Sequence, residues 1–124
     1  MDFKIKNIDH IQLSAPTGSE DEARDFYINI LGFEEEIKPK VLQKNGGVWF
    51  KSEGVSLHIG IEEPFQSLKK AHPAIEVENL PIFQRYIEEK GIVTQSDNKL
   101  PGAIRFYVRD PFGNRLEFLE WNKK

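Results

Sequence analysis

Two segments of this chain are built to one plan and end alike. Tyr27 stands five residues before Gly32 and Tyr86 five before Gly91, and each glycine is followed by an apolar residue, Phe33 or Ile92. Each segment reads as an amphipathic helix stopped by its glycine. In the first, Ser19 can act as cap and Glu22 completes a capping box, with Ala23, Phe26, Tyr27, Ile30 and Leu31 as the apolar stripe, so the spacing predicts a helix over 19–31. The second should start after Asn79, with Pro81 in its first turn and Leu80, Phe83, Tyr86 and Ile87 on its buried face. Strand-like runs lie at 8–14, 47–51, 55–61, 72–77, 103–109 and 115–121. They fall into the same order twice, a strand before each helix and a hairpin after it, with turns at KSEG (51–54) and RDPFG (109–113). The expected fold is α+β, two βαβββ modules over about 7–62 and 71–121. At 124 residues both belong to a single domain, 1–124, because the chain is too short for two independent cores.

The repeat also organises the polar residues. Four residues on from Gly54 is His58, and four on from Gly113 is Glu117, while His10 and His72 each open the first strand of their half. Two similar halves packed about an approximate twofold bring equivalent positions near the axis, so these four form a candidate ligand set. All three histidines of the chain belong to it. Neutral imidazole and carboxylate suit Zn, Ni, Fe, Mn or Co, and one such divalent ion is the expected cofactor. Glu117 lies within the apolar run Leu116, Phe118, Leu119, where an unpaired carboxylate would cost several kcal/mol. It needs a partner, either a metal or one of Arg105, Arg109 and Arg115, unless it faces outward at an edge position. For His58, between Leu57 and Ile59, the alternative is a core histidine bonded to backbone. By two-residue alternation Gln12 and Ser14 share a face with His10, and Ser56 with His58. These could orient a substrate. Trp49 and Tyr107 hold matching places ahead of the two turns and could wall a pocket, and Arg105 and Arg109, on the face of Tyr107, could bind a carboxylate or phosphate.

Composition narrows the partners. A formal charge of −3 and a pI near 5.6 leave no footprint for a nucleic-acid backbone or an anionic membrane surface. Zero cysteines exclude disulfides, thiolate metal sites and cysteine nucleophiles. No apolar run reaches the length of a membrane span and the first ten residues lack a signal-type core, which makes the cytoplasm the expected compartment.

The runs IDHIQL (8–13), ARDFYINILGF (23–33), AHPAIEV (71–77) and FYVRDPFGNRLEFLE (106–120) resemble the vicinal oxygen chelate superfamily, which includes glyoxalase I, extradiol dioxygenases, fosfomycin-modifying enzymes and bleomycin resistance proteins. The resemblance covers nearly the whole chain. It implies a cup-shaped mixed sheet, first-strand histidines and last-strand carboxylates as metal ligands, and a homodimer. His10, His72 and Glu117 match the ligand trio of many metal-dependent members, whereas His58 stands where glyoxalase I carries a glutamate. Two functions follow as expectations. One is an enzyme that chelates neighbouring oxygens of a small substrate on the metal, for isomerase- or lyase-type proton transfer or for dioxygenase chemistry, with Glu117 as the catalytic proton acceptor. The other is a metal-free protein that sequesters a small molecule near Trp49 and Tyr107.

Overall fold

The structure, a computed structural model, describes residues 2–122. The first module runs β1 (Ile11–Ala15), α1 (Glu20–Arg24, continuing as a π-helical turn over Asp25–Ile30), β2 (Glu34–Glu36), a 3₁₀ segment (Lys40–Asn45), β3 (Val48–Ser52) and β4 (Val55–Ile61). The second runs β5 (Ala74–Glu76), α2 (Leu80–Glu89), β6 (Gln95–Asp97), β7 (Ala103–Arg109) and β8 (Arg115–Trp121). Each module forms one four-stranded sheet, in the orders β1-β4-β3-β2 and β5-β8-β7-β6. The first strand pairs parallel to the last, and the other pairs are antiparallel. The two βαβββ modules are thus present in identical topology. Among the described residues no helix is long and apolar enough to cross a membrane.

One face of each sheet packs on its helix. Phe50, Leu57 and Ile59 meet Ala23, Phe26 and Tyr27 in the first module, while Phe106, Leu116 and Phe118 meet Leu80, Phe83 and Ile87 in the second. The predicted capping box does not form: the Ser19 hydroxyl donates instead to the Pro16 carbonyl at 2.5 Å. The helix then widens after Arg24, with the Leu31 amide donating to the Phe26 carbonyl at 3.0 Å. That wider turn lets the consecutive Phe26 and Tyr27 both face the core, which a plain α-helical stripe does not accommodate as well. In α2, Tyr86 is on the exposed side rather than the buried one, beneath the Lys90 ammonium, because Leu80, Phe83 and Ile87 already define the inward stripe. The N-terminus of α2 is capped from β8: the Glu120 carboxylate accepts the amides of Asn79 (2.9 Å) and Leu80 (3.0 Å).

Two buried side chains join the modules. Tyr27 of the first donates its hydroxyl to Asp110 Oδ2 of the second at 2.8 Å, and Asn114 Nδ2 donates to the Ser14 carbonyl at 2.8 Å. Gly47, at the entrance to β3, has φ +87°, and a Cβ there would fall 2.2 Å from the Ile59 carbonyl oxygen. Gly47→Ala is therefore expected to lower stability by about 2–4 kcal/mol. Urea denaturation measures it, and an unchanged midpoint would mean that β3 enters the sheet differently.

Candidate metal and substrate site

The candidate side chains on the strands occupy the sheet faces turned away from the helices. Strand register shows how closely the halves correspond: Trp49 is opposite His58, and Tyr107 is opposite Glu117. On the other flank Gln12 partners His58 and Ala74 partners Glu117, so His10 and His72 each lie two residues before equivalent points. Both histidines sit just outside their strands, which begin at Ile11 and Ala74 rather than at 8 and 72.

In the first module His58 is buried in a stack. Its ring lies 4.0 Å from Trp49 with the planes at 3°, and 4.1 Å from His10 at 18°. Burial, and then the neighbouring His10, hold His58 below the ordinary histidine pKa, which favours the neutral, ligand-competent imidazole. His10 is exposed, its Nδ1 2.9 Å from Asp9. Gln12 lies over Gly60, and with Ser14 it lines a pocket of about 680 Å³ that His72 also enters. Ser56 faces Lys51 across the hairpin.

In the second module His72 Nε2 stands 2.8 Å from Glu117 Oε1, while its Nδ1 stands 2.7 Å from the Lys70 carbonyl. A carbonyl only accepts, so Nδ1 carries the hydrogen, and in neutral imidazole the lone pair of Nε2 then faces a carboxylate oxygen. Two acceptors at that distance require a shared proton or a cation. The donor chemistry therefore fits a metal: an imidazole oriented by a backbone carbonyl with its free nitrogen beside a carboxylate is a common ligand arrangement. Glu117 is only 5% exposed and also receives a long contact from Arg105 Nη1 at 3.5 Å. Arg105 is bound more closely to Asp97, at 3.2 Å. Tyr107 meets His72 edge-on at 5.4 Å, with the Arg115 guanidinium 4.1 Å from the centre of its ring.

Within one chain the four sequence-predicted ligands are thus two pairs, His10 with His58 and His72 with Glu117. Among the described residues no three or more His, Asp or Glu side chains gather closely enough to hold a metal ion. Sequence reasoning overlooked two participants, Phe65 and Leu68 of the linker, which wall the large pocket and are signalled only by their apolar character in a polar stretch. Arg115, which the sequence offered only as a possible ion-pair partner of Glu117, lines the same pocket beside His72.

The model of the Glyoxalase/Bleomycin resistance protein/Dioxygenase superfamily matches residues 7–118. The chain belongs to this superfamily. A glyoxalase family protein from Bacillus anthracis is 47% identical with a TM-score of 0.95, covering 98% of this chain and 100% of that one. The genomically encoded fosfomycin resistance protein FosX from Listeria monocytogenes is 17% identical (TM-score 0.75, 94% of each chain). The antibiotic binding protein TnmS3 from Streptomyces sp. CB03234 is 19% identical (TM-score 0.72, 95% of this chain and 100% of that one). These two distant likenesses carry the fold alone. No curated protein matches the sequence.

Proposed function

We propose that this superfamily member is a metal-dependent enzyme acting on a small molecule, with one divalent ion held by His10, His58, His72 and Glu117 at a centre shared between two copies of the chain. The observation that carries the reading is the His72–Glu117 pair: an imidazole nitrogen 2.8 Å from an oxygen of a buried carboxylate. The matched His10–His58 pair supplies the complementary donors. A homodimer supports their meeting, since β1 and β5 both end their sheets with an unpaired edge and the segment before β1 exposes Phe3, Ile5 and Ile8.

A bound divalent ion would supply the charge that holds two neighbouring substrate oxygens and stabilises negative charge developing on them. The side chains do the remainder. Glu117, in contact with His72, is placed to accept a proton from the substrate and return it, the step that isomerase and lyase chemistry requires. Trp49 and Tyr107, opposite the two inner ligands, flank the reacting groups and limit water. Gln12 and Ser14 offer hydrogen bonds from the edge of the large pocket.

Protein purified without chelator is expected to carry about one metal ion per chain by elemental analysis. His72→Ala and Glu117→Ala should each lose it while keeping the wild-type circular dichroism. Unchanged metal content in both variants would refute the assignment. The stack of Trp49, His58 and His10 favours a second reading, sequestration of a flat aromatic molecule. A metal-free protein that binds such molecules tightly, with no turnover of α-ketoaldehydes, catechols or electrophilic antibiotics, would select it.

A further inference from the structure

Strand pairing sets Arg109 directly opposite Arg115 across β7 and β8. Alternation places both on the face of Tyr107 and Glu117. Like charges in direct opposition destabilise a ladder, and among the described residues neither guanidinium has a carboxylate within ion-pair distance. Among the described residues Arg109 donates only through Nη1, to the carbonyls of Leu68 (3.0 Å) and Gly113 (3.1 Å). Arg115 donates through Nη1 to the Lys70 carbonyl at 3.3 Å and rests on Tyr107. Most of the N–H groups of both forks therefore lack a protein acceptor among the described residues. Arg105, on the same face, is different because Asp97 and Glu117 neutralise it. A pocket of about 370 Å³ opens beside the pair, lined by the 91–95 segment together with Tyr107, Val108, Arg109 and Arg115.

We infer that Arg109 and Arg115 form an oxyanion site that takes the acidic group of the substrate, a carboxylate or a phosphonate. That this group belongs to the substrate rests on the function proposed above. The site lies on the strand that carries Glu117, with Arg115 two residues away, roughly 7 Å along β8. The substrate class is thus a small organic acid whose anionic end lies about that far from its reacting oxygens. The repeat breaks at this point and so orients the substrate: the equivalent pair in the first module is Lys51 and Ser56. Only one half offers two arginines, whose planar forks match an oxyanion.

The test titrates the intact protein, with chelator present, with phenylphosphonate, phenylacetate and the uncharged phenylacetamide, followed by calorimetry. Both acids are expected to bind, and the amide at least about tenfold more weakly. Arg115→Gln should weaken the acids at least about tenfold and Arg115→Lys should recover part of the loss, while Lys51→Ala leaves them unchanged. Circular dichroism confirms folding of each variant. Failure of both acids to bind, equal affinity for acid and amide, or unaltered affinity in Arg115→Gln overturns the proposal. Because the metal is chelated throughout, a missing metal in elemental analysis would sink the enzymatic reading and leave this result standing.

Discussion

Replacing Asp110 by alanine is expected to cost the fold about 3–4 kcal/mol at neutral pH, read as a lower urea midpoint. The carboxylate is buried and accepts four hydrogen bonds. Oδ1 takes the amides of Phe112 (3.0 Å) and Asn114 (2.8 Å), and Oδ2 takes the Tyr27 hydroxyl (2.8 Å) and Asn114 Nδ2 (2.9 Å). Alanine would strand buried donors in both modules at once, each worth about 1–3 kcal/mol when unsatisfied. Tyr27→Phe removes a single donor with its shape kept, and should cost only about 1 kcal/mol. Burial, chiefly, raises the Asp110 carboxyl above the ordinary aspartate range, against the hydrogen bonds from Asn114 and Tyr27 that lower it. The folded chain accordingly keeps this proton to a higher pH than the unfolded chain. The stabilisation linked to that proton is fully present below the ordinary aspartate value and is lost as pH rises through the raised one, so at neutral pH the hydrogen bonds to the carboxylate are what Asp110→Ala removes. Asp110→Asn should abolish that component of the pH dependence, and its retention would show that another group causes it.

The Asp110 network also shows what a one-dimensional reading can and cannot reach. Matching glycine stops and turns made the repeat legible, and the repeat carried the register: His58 and Glu117, with Trp49 and Tyr107 opposite, fall at equivalent ladder positions. Strand β6 escaped notice because Gln95, Ser96 and Asp97 show no apolar alternation; they pair with β7 through the backbone ladder, to which Asp97 adds an ion pair with Arg105 directly opposite. Ser19 carried a sound capping pattern, yet tertiary geometry turned its hydroxyl to Pro16. The ligand candidates were legible because histidine is scarce here and Glu117 interrupts an apolar run. Arg115 was legible only as a possible ion-pair partner of Glu117 and not as a binding residue, because an arginine at a strand start is ordinarily solvated. Only its pairing with Arg109, and the commitment of Arg105 to Asp97, set it apart. That the ligands separate into two pairs is likewise invisible to a repeat, which dictates equivalence and not distance.

Mixed dimers of His10→Ala and Glu117→Ala chains are expected to regain about half of the wild-type metal content, although either variant alone binds almost none. If each centre joins the first module of one chain to the second of its partner, both centres of either homodimer lack one ligand. Loss of a direct ligand should weaken binding by more than about 100-fold, since disturbing an outer-shell partner alone costs 10–100-fold. In the mixed dimer the defects segregate. One centre combines the His10→Ala module with the Glu117→Ala module and is doubly impaired. The other combines intact His10 and His58 with intact His72 and Glu117. A centre built within one chain has no such escape, because every centre would keep exactly the single defect of its own chain. Two-tag purification of the mixed species followed by elemental analysis separates the cases, and metal no higher in the mixed dimer than in the two homodimers would exclude a shared centre. The pairing seen in the single chain leads to the first outcome: His72 already faces Glu117 at 2.8 Å and His58 already lies against His10, so each module brings its own pair of candidate ligands together.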